Sequence, residues 1–297
     1  MKISLFRTSR YFFLMAIAAF SCVSKKEFPV AKYYNYDHEL PLNDSVQLVS
    51  NDDELKLYRV YFTSVHDKRV TGLLSIPNEK EGTLPVVILL HGLGDRKTVD
   101  YIEAGHQYFQ QSGFAVLRID IDNHGDRKKY EYDFDLTDGY RHWTRDIITQ
   151  TVFDLRRSID FLEAREEIDA EKIGFFGISL GGIIGTIFSG VDERVKVPVI
   201  ALAGGNLSLM FGMDAFTEET KDFFSMIDPI NFVQEIAPRP LLMINSEHDE
   251  VIDPLTSKLL FRKAQTPKEI IWYPSKHRDL PRDKAYPAGI EWFQRHL

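Results

Sequence analysis

Gly177-Ile178-Ser179-Leu180-Gly181 lies between the apolar run Lys172-Ile173-Gly174-Phe175-Phe176 and the small, apolar stretch Gly182-Ile183-Ile184-Gly185-Thr186-Ile187-Phe188. A buried strand that turns directly into a helix constrains the backbone at the serine between them. A serine hydroxyl is a poor nucleophile unless such a turn thrusts it towards a base. The turn brings strand and helix so close that side chains two positions either side of the serine would collide, hence glycine at 177 and 181. The N–H of Leu180 then falls at a helix N-terminus, placed to bind an oxyanion. Ser179 is therefore the candidate nucleophile. A bare G-x-S-x-G is common. Its position after a buried strand pattern, with partners in order downstream, gives it weight.

The rest of the chain repeats that strand-then-helix rhythm. Continuous apolar runs recur at Pro85–Leu90, Phe114–Ile119, Ile173–Ile178, Val195–Ala203, Pro240–Asn245 and Glu269–Tyr273, as parallel strands covered on both faces require. Between them lie helical patterns at Tyr101–Gln111 and Trp143–Glu163, the second with Ile147, Val152, Leu155, Ile159 and Leu162 at helical spacing. Upstream, Ser45–Val49, Lys56–Phe62 and Val70–Ile76 alternate with period two, and Asp67-Lys68 reads as a turn. The expectation is an α/β protein with a doubly wound, mostly parallel sheet and antiparallel N-terminal strands. Residues 45–297 form one catalytic domain in this reading, preceded by a polar tether over 22–44. The interval 205–238 is longer than a crossover needs and carries Leu207, Leu209, Met210, Phe211, Met213, Phe216, Phe223, Phe224 and Met226. It is a candidate lid over an acyl pocket, or ordinary helical cover on the sheet.

The chain has 297 residues, is 44% hydrophobic and 12% aromatic, and carries a net charge of −8, which provides a substantial core and argues against nucleic acid as partner. The basic clusters Arg127-Lys128-Lys129 and Lys25-Lys26 are short and read as solvated. At the N-terminus, Lys2, Arg7 and Arg10 precede the uncharged apolar run Tyr11–Phe20, too short for a membrane span and laid out like a secretory signal over 1–21. It ends in Ala19-Phe20-Ser21-Cys22, with the chain's single cysteine. The segment resembles a bacterial lipobox, which implies a lipid on Cys22 and an exported protein held at the cell envelope. It departs from that pattern at Ala19, where such boxes carry leucine, and at the bulky Phe20. A plain signal peptide, with Cys22 incidental, is the alternative.

Serine needs a base, the base an orienting carboxylate, and the oxyanion donors. The run Leu241–Asn245 is followed by Glu247, Asp249, Glu250 and Asp253. Asp253 before Pro254 reads as a helix N-cap, and Glu247 and Glu250 as solvated. Asp249, in the loop, is the expected acid. The last apolar run ends at Tyr273, and His277 follows in the loop before the C-terminal helix, 28 residues after Asp249. It is preferred as base over His248, adjacent to the acid, and His296, in the terminal helix. Upstream, His91-Gly92-Leu93-Gly94 ends a strand; its glycines allow close backbone approach, and the N–H of Leu93 can pair with that of Leu180 in an oxyanion hole. His91 reads as a structural hydrogen-bonding residue.

With the order Ser179, Asp249, His277 and the upstream His91-Gly92, residues 45–297 resemble an α/β-hydrolase. His91-Gly92, Asp120-Ile121-Asp122-Asn123-His124-Gly125-Asp126 and Gly177–Gly182 are similar to the dienelactone hydrolase-like and acetyl xylan esterase-like branch. Typical dienelactone hydrolases use cysteine where this chain has Ser179, which moves the expectation to ordinary esters. The resemblance implies a serine carboxylic-ester hydrolase, without cofactor or metal, acting on small-molecule or glycan esters outside the cytoplasm. A serine peptidase or amidase related to the prolyl oligopeptidases would share the triad, and the chain is too short for their propeller. An acyl-CoA thioesterase fits poorly with export. The reading from another class is a non-catalytic lipoprotein that retains the fold.

Overall fold

The computed structural model describes residues 30–78, 82–131, 134–136, 139–210 and 222–297. Nine strands form one sheet in the order β1-β2-β3-β5-β4-β6-β7-β8-β9. The first three, Ser45–Asn51 (β1), Leu55–Thr63 (β2) and Arg69–Pro77 (β3), are antiparallel neighbours. β3 also lies antiparallel to Ala115–Ile119 (β5). From β5 through Leu84–Leu90 (β4), Ile168–Ile178 (β6), Val197–Ala201 (β7), Leu241–Ser246 (β8) and Lys268–Tyr273 (β9) every pairing is parallel. The mixed sheet is that expected from the change in apolar pattern after residue 77. β6 starts five residues earlier than its apolar core suggests, because Ile168 pairs with Leu84 across an irregularity in register.

The continuous apolar runs follow from cover on both faces. Val86, Ile88 and Leu90 of β4 point into one core, with Val152, Leu155 and Ile159 of the long helix Arg141–Glu163 (α2) and Ile184 and Ile187 of Leu180–Val191 (α3). Val87 and Leu89 point the other way, against Ile102 and Phe109 of Asp100–Gln111 (α1) and Trp292 and Phe293 of the C-terminal helix Arg282–His296. A strand sandwiched this way cannot alternate polar and apolar. The chain leaves β4 towards β5 on one side and returns to β6 on the other. The carboxyl ends of β4 and β6 therefore flank a topological switch point, where open α/β sheets bind ligands.

Two expectations meet a different outcome. From Val30 onward the stretch expected as a tether lies against the domain. Tyr34 is fully buried and donates to the Met226 carbonyl, and Tyr36 donates to Asp160 on α2. The tyrosines supply the apolar area that docks this polar segment. Arg127, expected to be solvated, is buried with its guanidinium on Asp154 at 2.7 Å and Asp122 at 3.0 Å. Removing one partner of such a pair costs about 3–5 kcal/mol. In the interval 205–238, Leu207 and Phe224 are buried in the α3-side core and Leu209 is exposed. Phe211, Met213 and Phe216 lie outside the described residues, as do the signal segment and Cys22. Among the described residues, no helix is long and apolar enough to cross a membrane, and no cluster of His, Cys, Asp and Glu could hold a metal ion.

Candidate active site

Ser179 sits between the last residue of β6 and the first of α3, with φ 57° and ψ −119°. A left-handed φ in a non-glycine residue stores about 1–3 kcal/mol and is tolerated only where the surroundings enforce it. Here they do: Ser179 N–H donates to the Ala201 carbonyl at 2.9 Å, and its own carbonyl accepts from Gly182 and Ile183. The two glycines behave as the sequence implied. A Cβ at Gly177 would stand 2.3 Å from the Gly181 carbonyl oxygen, and one at Gly181 2.4 Å from that of His91.

The structure brings Ser179, His277 and Asp249 together. His277 Nε2 is 3.0 Å from Ser179 Oγ, and its Nδ1 is 2.7 Å from Asp249 Oδ2. The side chains of His277 and Asp249 are both largely shielded from solvent. Asp249 is fixed in turn, since its Oδ1 accepts from the N–H groups of Val251 at 2.9 Å and Ile252 at 2.8 Å. Asp253 does the work expected of it, accepting from Leu255 N–H at 2.8 Å as the N-cap of the helix Pro254–Lys263. Glu250 is exposed, yet its Oε2 accepts the His277 backbone N–H at 3.1 Å and so helps hold the histidine loop.

On the opposite side, the loop after β4 reaches Ser179 closely enough that a Cβ at Gly92 would lie 3.3 Å from the Ser179 Cβ. His91 orients this loop. Its Nε2 accepts from Ile121 N–H at 3.1 Å, so the ring proton is on Nδ1, which donates to the Gly92 carbonyl at 2.7 Å. The trans peptide is planar, so holding that carbonyl directs the Leu93 N–H the opposite way. Leu180 contributes the first N–H of α3, among those that have no intrahelical partner. The loop is further braced from below: Asp120 accepts from Lys97 N–H and Nζ and from Asp126 N–H. Asp120, fully buried at the head of the Asp120–Asp126 motif, is thus a polar support for the site.

Burial pushes the His91 imidazole down to about 4, with His124 and His106 lowered for the same reason. Because the folded value lies below the unfolded one, unfolding takes up protons on acidification. For His91 this share of stability is complete above about pH 6.5 and is lost as the pH falls towards 4, by up to about 1.4 kcal/mol per pH unit; the lowered His124 and His106 act in the same direction. Urea unfolding at about pH 7.5, 6 and 5 should show a falling midpoint; a flat profile would contradict a neutral, buried His91.

A cavity of about 370 Å³ opens beside Ser179 and His277, lined by Leu93, Asp95, Tyr101, Leu202, Arg278 and Tyr286 among others. No described residue of 205–238 lines it. Sequence reasoning missed Tyr101, Asp95 and Arg278. Tyr101 starts an amphipathic helix and carries no local sign of facing the site.

The sheet order, the strained serine between β6 and α3, and the Ser179–His277–Asp249 hydrogen bonds define an α/β-hydrolase. The model of the acetyl xylan esterase (AXE1) family matches residues 30–203. The chain belongs to that family of carboxylic-ester hydrolases. Acetyl esterase Axe7A of Xylanibacter ruminicola is 23% identical over 258 residues, covering 77% of this chain and 56% of Axe7A. YtaP of Bacillus subtilis (strain 168) is 26% identical over 200 residues, covering 59% of this chain and 64% of YtaP. The alignments thus span under two thirds of the length of either curated relative. Among solved structures, the acetyl xylan esterase from Paenibacillus sp. R4 superposes with a TM-score of 0.75 at 22% identity, covering 93% of this chain and 96% of that one.

Proposed function

We propose that this chain hydrolyses small acyl esters, acetyl esters of carbohydrates foremost, through a covalent Ser179 acyl-enzyme. The observation that carries the reading is the continuous hydrogen-bonded line from Asp249 through His277 to an outward-thrust Ser179. In the first step His277 Nε2 takes the proton of Ser179 Oγ as the oxygen attacks the ester carbonyl. The N–H groups of Leu93 and Leu180 receive the developing oxyanion. His277 then passes its proton to the departing alkoxide, and the alcohol leaves. Water, deprotonated by the same imidazole, attacks the acyl-serine; Ser179 Oγ leaves, takes that proton back from His277, and the acid is released. Asp249 keeps the proton on Nδ1 so that Nε2 is free to act as base.

The substrate class rests on the family and on a modest cavity, within the range of small-ligand pockets. Hydrolysis of p-nitrophenyl esters from acetyl to dodecanoyl tests it. Rates should fall steeply beyond acetyl or butyryl; a rise with chain length would sink the small-acyl proposal, and cleavage of amides with esters at background would replace it by a peptidase.

Export and lipidation at Cys22 are part of the same proposal, supported by the charge, length and terminal cysteine of residues 1–22. Expressed in a bacterium, the full chain should sediment with membranes and Cys22→Ala should not. Wild type found wholly in the soluble fraction would remove the anchor from the reading.

A further inference from the structure

Tyr101 stands between three parts of the site. Its hydroxyl accepts the Gly92 N–H at 2.8 Å and donates its own proton to Asp95 Oδ2 at 2.8 Å. Its backbone carbonyl accepts from the Tyr286 hydroxyl on the C-terminal helix, the element that follows the histidine loop. Tyr101 and Asp95 both line the cavity that contains Ser179 and His277. A Cβ built at Gly92 would lie 3.4 Å from the Tyr101 hydroxyl and 3.3 Å from the Ser179 Cβ, so hydroxyl and nucleophile flank the same backbone atom.

We propose that Tyr101, held by Asp95, is a positioning residue of the oxyanion hole, clamping the Gly92 N–H so that the next N–H, that of Leu93, stays aimed at the reacting carbonyl. The inference rests on the serine-hydrolase reading above. The geometry explains why one clamp is insufficient. His91 holds the carbonyl end of Gly92 from the buried side, and that fixes the plane of the 92–93 peptide only if the preceding peptide cannot rotate. The Gly92 N–H belongs to that preceding peptide, and glycine offers no side chain to restrain it. Tyr101 supplies the restraint, and Asp95 fixes the direction of the hydroxyl: with its proton committed to the carboxylate, a lone pair faces Gly92. Burial pushes the phenol far above its ordinary range, so the hydroxyl keeps the proton this arrangement needs. An oxyanion hole works by donors already in place when charge develops, so a misdirected Leu93 N–H slows the chemical step and leaves ground-state binding nearly untouched.

The test compares wild type, Tyr101→Phe and Asp95→Asn. It uses p-nitrophenyl acetate for kcat and KM and a trifluoromethyl ketone for inhibition. The ketone carbonyl accepts Ser179 Oγ while the serine proton moves to His277, which leaves a tetrahedral oxyanion in the hole. Tyr101→Phe should lower kcat roughly tenfold to a hundredfold, change KM less than about threefold, and weaken the inhibitor in proportion to kcat/KM. Asp95→Asn keeps an acceptor for the tyrosyl proton and should lose less on both readouts. An unchanged kcat in Tyr101→Phe overturns the proposal, and so does a lower kcat with undiminished inhibition, because the residue would then act outside the oxyanion. If Tyr101→Phe does not fold by circular dichroism, Asp95→Ala, which removes the acceptor of the tyrosyl proton, decides alone: a parallel loss in kcat and inhibition supports the clamp, and wild-type values for both overturn it. Ser179→Ala separates the two levels. If it is inactive while Tyr101→Phe is unimpaired, only the clamp fails; if it keeps wild-type activity, the serine-hydrolase reading fails first.

Discussion

Ser179→Ala should fold like wild type and lose about four to six orders of magnitude in kcat on acetyl esters, with any residue of rate coming from the oxyanion donors and binding. The fold is expected to survive because the alanine keeps every backbone hydrogen bond that shapes the turn: the N–H to Ala201 and the carbonyl to Gly182 and Ile183. Only Oγ is removed, and with it the hydrogen bond to His277 Nε2 at 3.0 Å. The positive φ at this position already strains serine and strains alanine equally, so the change neither relieves nor adds backbone energy. Steady-state kinetics with a thermal melt check both halves. A variant with normal melting and more than about a hundredth of wild-type kcat would rule out the covalent route.

The parts legible in the sequence are those whose cause is local. The doubly buried β4 and the 173–178 half of β6 show as unbroken apolar runs because both faces need cover. Gly177 and Gly181 flank the serine because backbone oxygens occupy the space a Cβ would fill. Asp249 and His277 could be chosen because each follows a strand in the order a hydrolase site demands, and the structure sets them 2.7 Å apart. What was not legible depends on partners distant in the chain. Tyr36 looks like tether until Asp160, 124 positions away, accepts its hydroxyl proton. Arg127 looks like a solvated cation until Asp154 closes on it from α2. Tyr101 reads as the start of a helix, and nothing within its neighbourhood signals that its hydroxyl turns back to Gly92. Glu250 reads as a solvated surface acid, which matches its exposure, while its bond to the His277 backbone depends on a loop 27 positions away.

Asp249→Asn and Asp253→Asn, one carboxylate to amide change each and four residues apart, should differ by several orders of magnitude in their effect on kcat. Asp249 faces His277 Nδ1 with both oxygens, Oδ2 the nearer at 2.7 Å and Oδ1 at 2.9 Å, and Oδ1 also accepts the N–H groups of Val251 and Ile252. An asparagine must keep its carbonyl on the two backbone donors, which leaves its NH₂ facing Nδ1. The imidazole can accept that bond only by moving its own proton to Nε2, where it points at Ser179 and can no longer take a proton. The expected loss is about 10⁴ in kcat with KM and melting little changed, since the shape of the site is preserved. Asp253 instead caps a helix by accepting from Leu255 N–H, and asparagine caps about as well as aspartate. That variant should stay within about twofold of wild-type kcat and within about 0.5 kcal/mol of its stability. Kinetics and urea unfolding on the two proteins side by side provide the check. A severe loss in Asp253→Asn with a mild one in Asp249→Asn would mean that Asp253, and not Asp249, orients His277. The comparison is sharp because both side chains accept backbone N–H groups, and only Asp249 also touches the base.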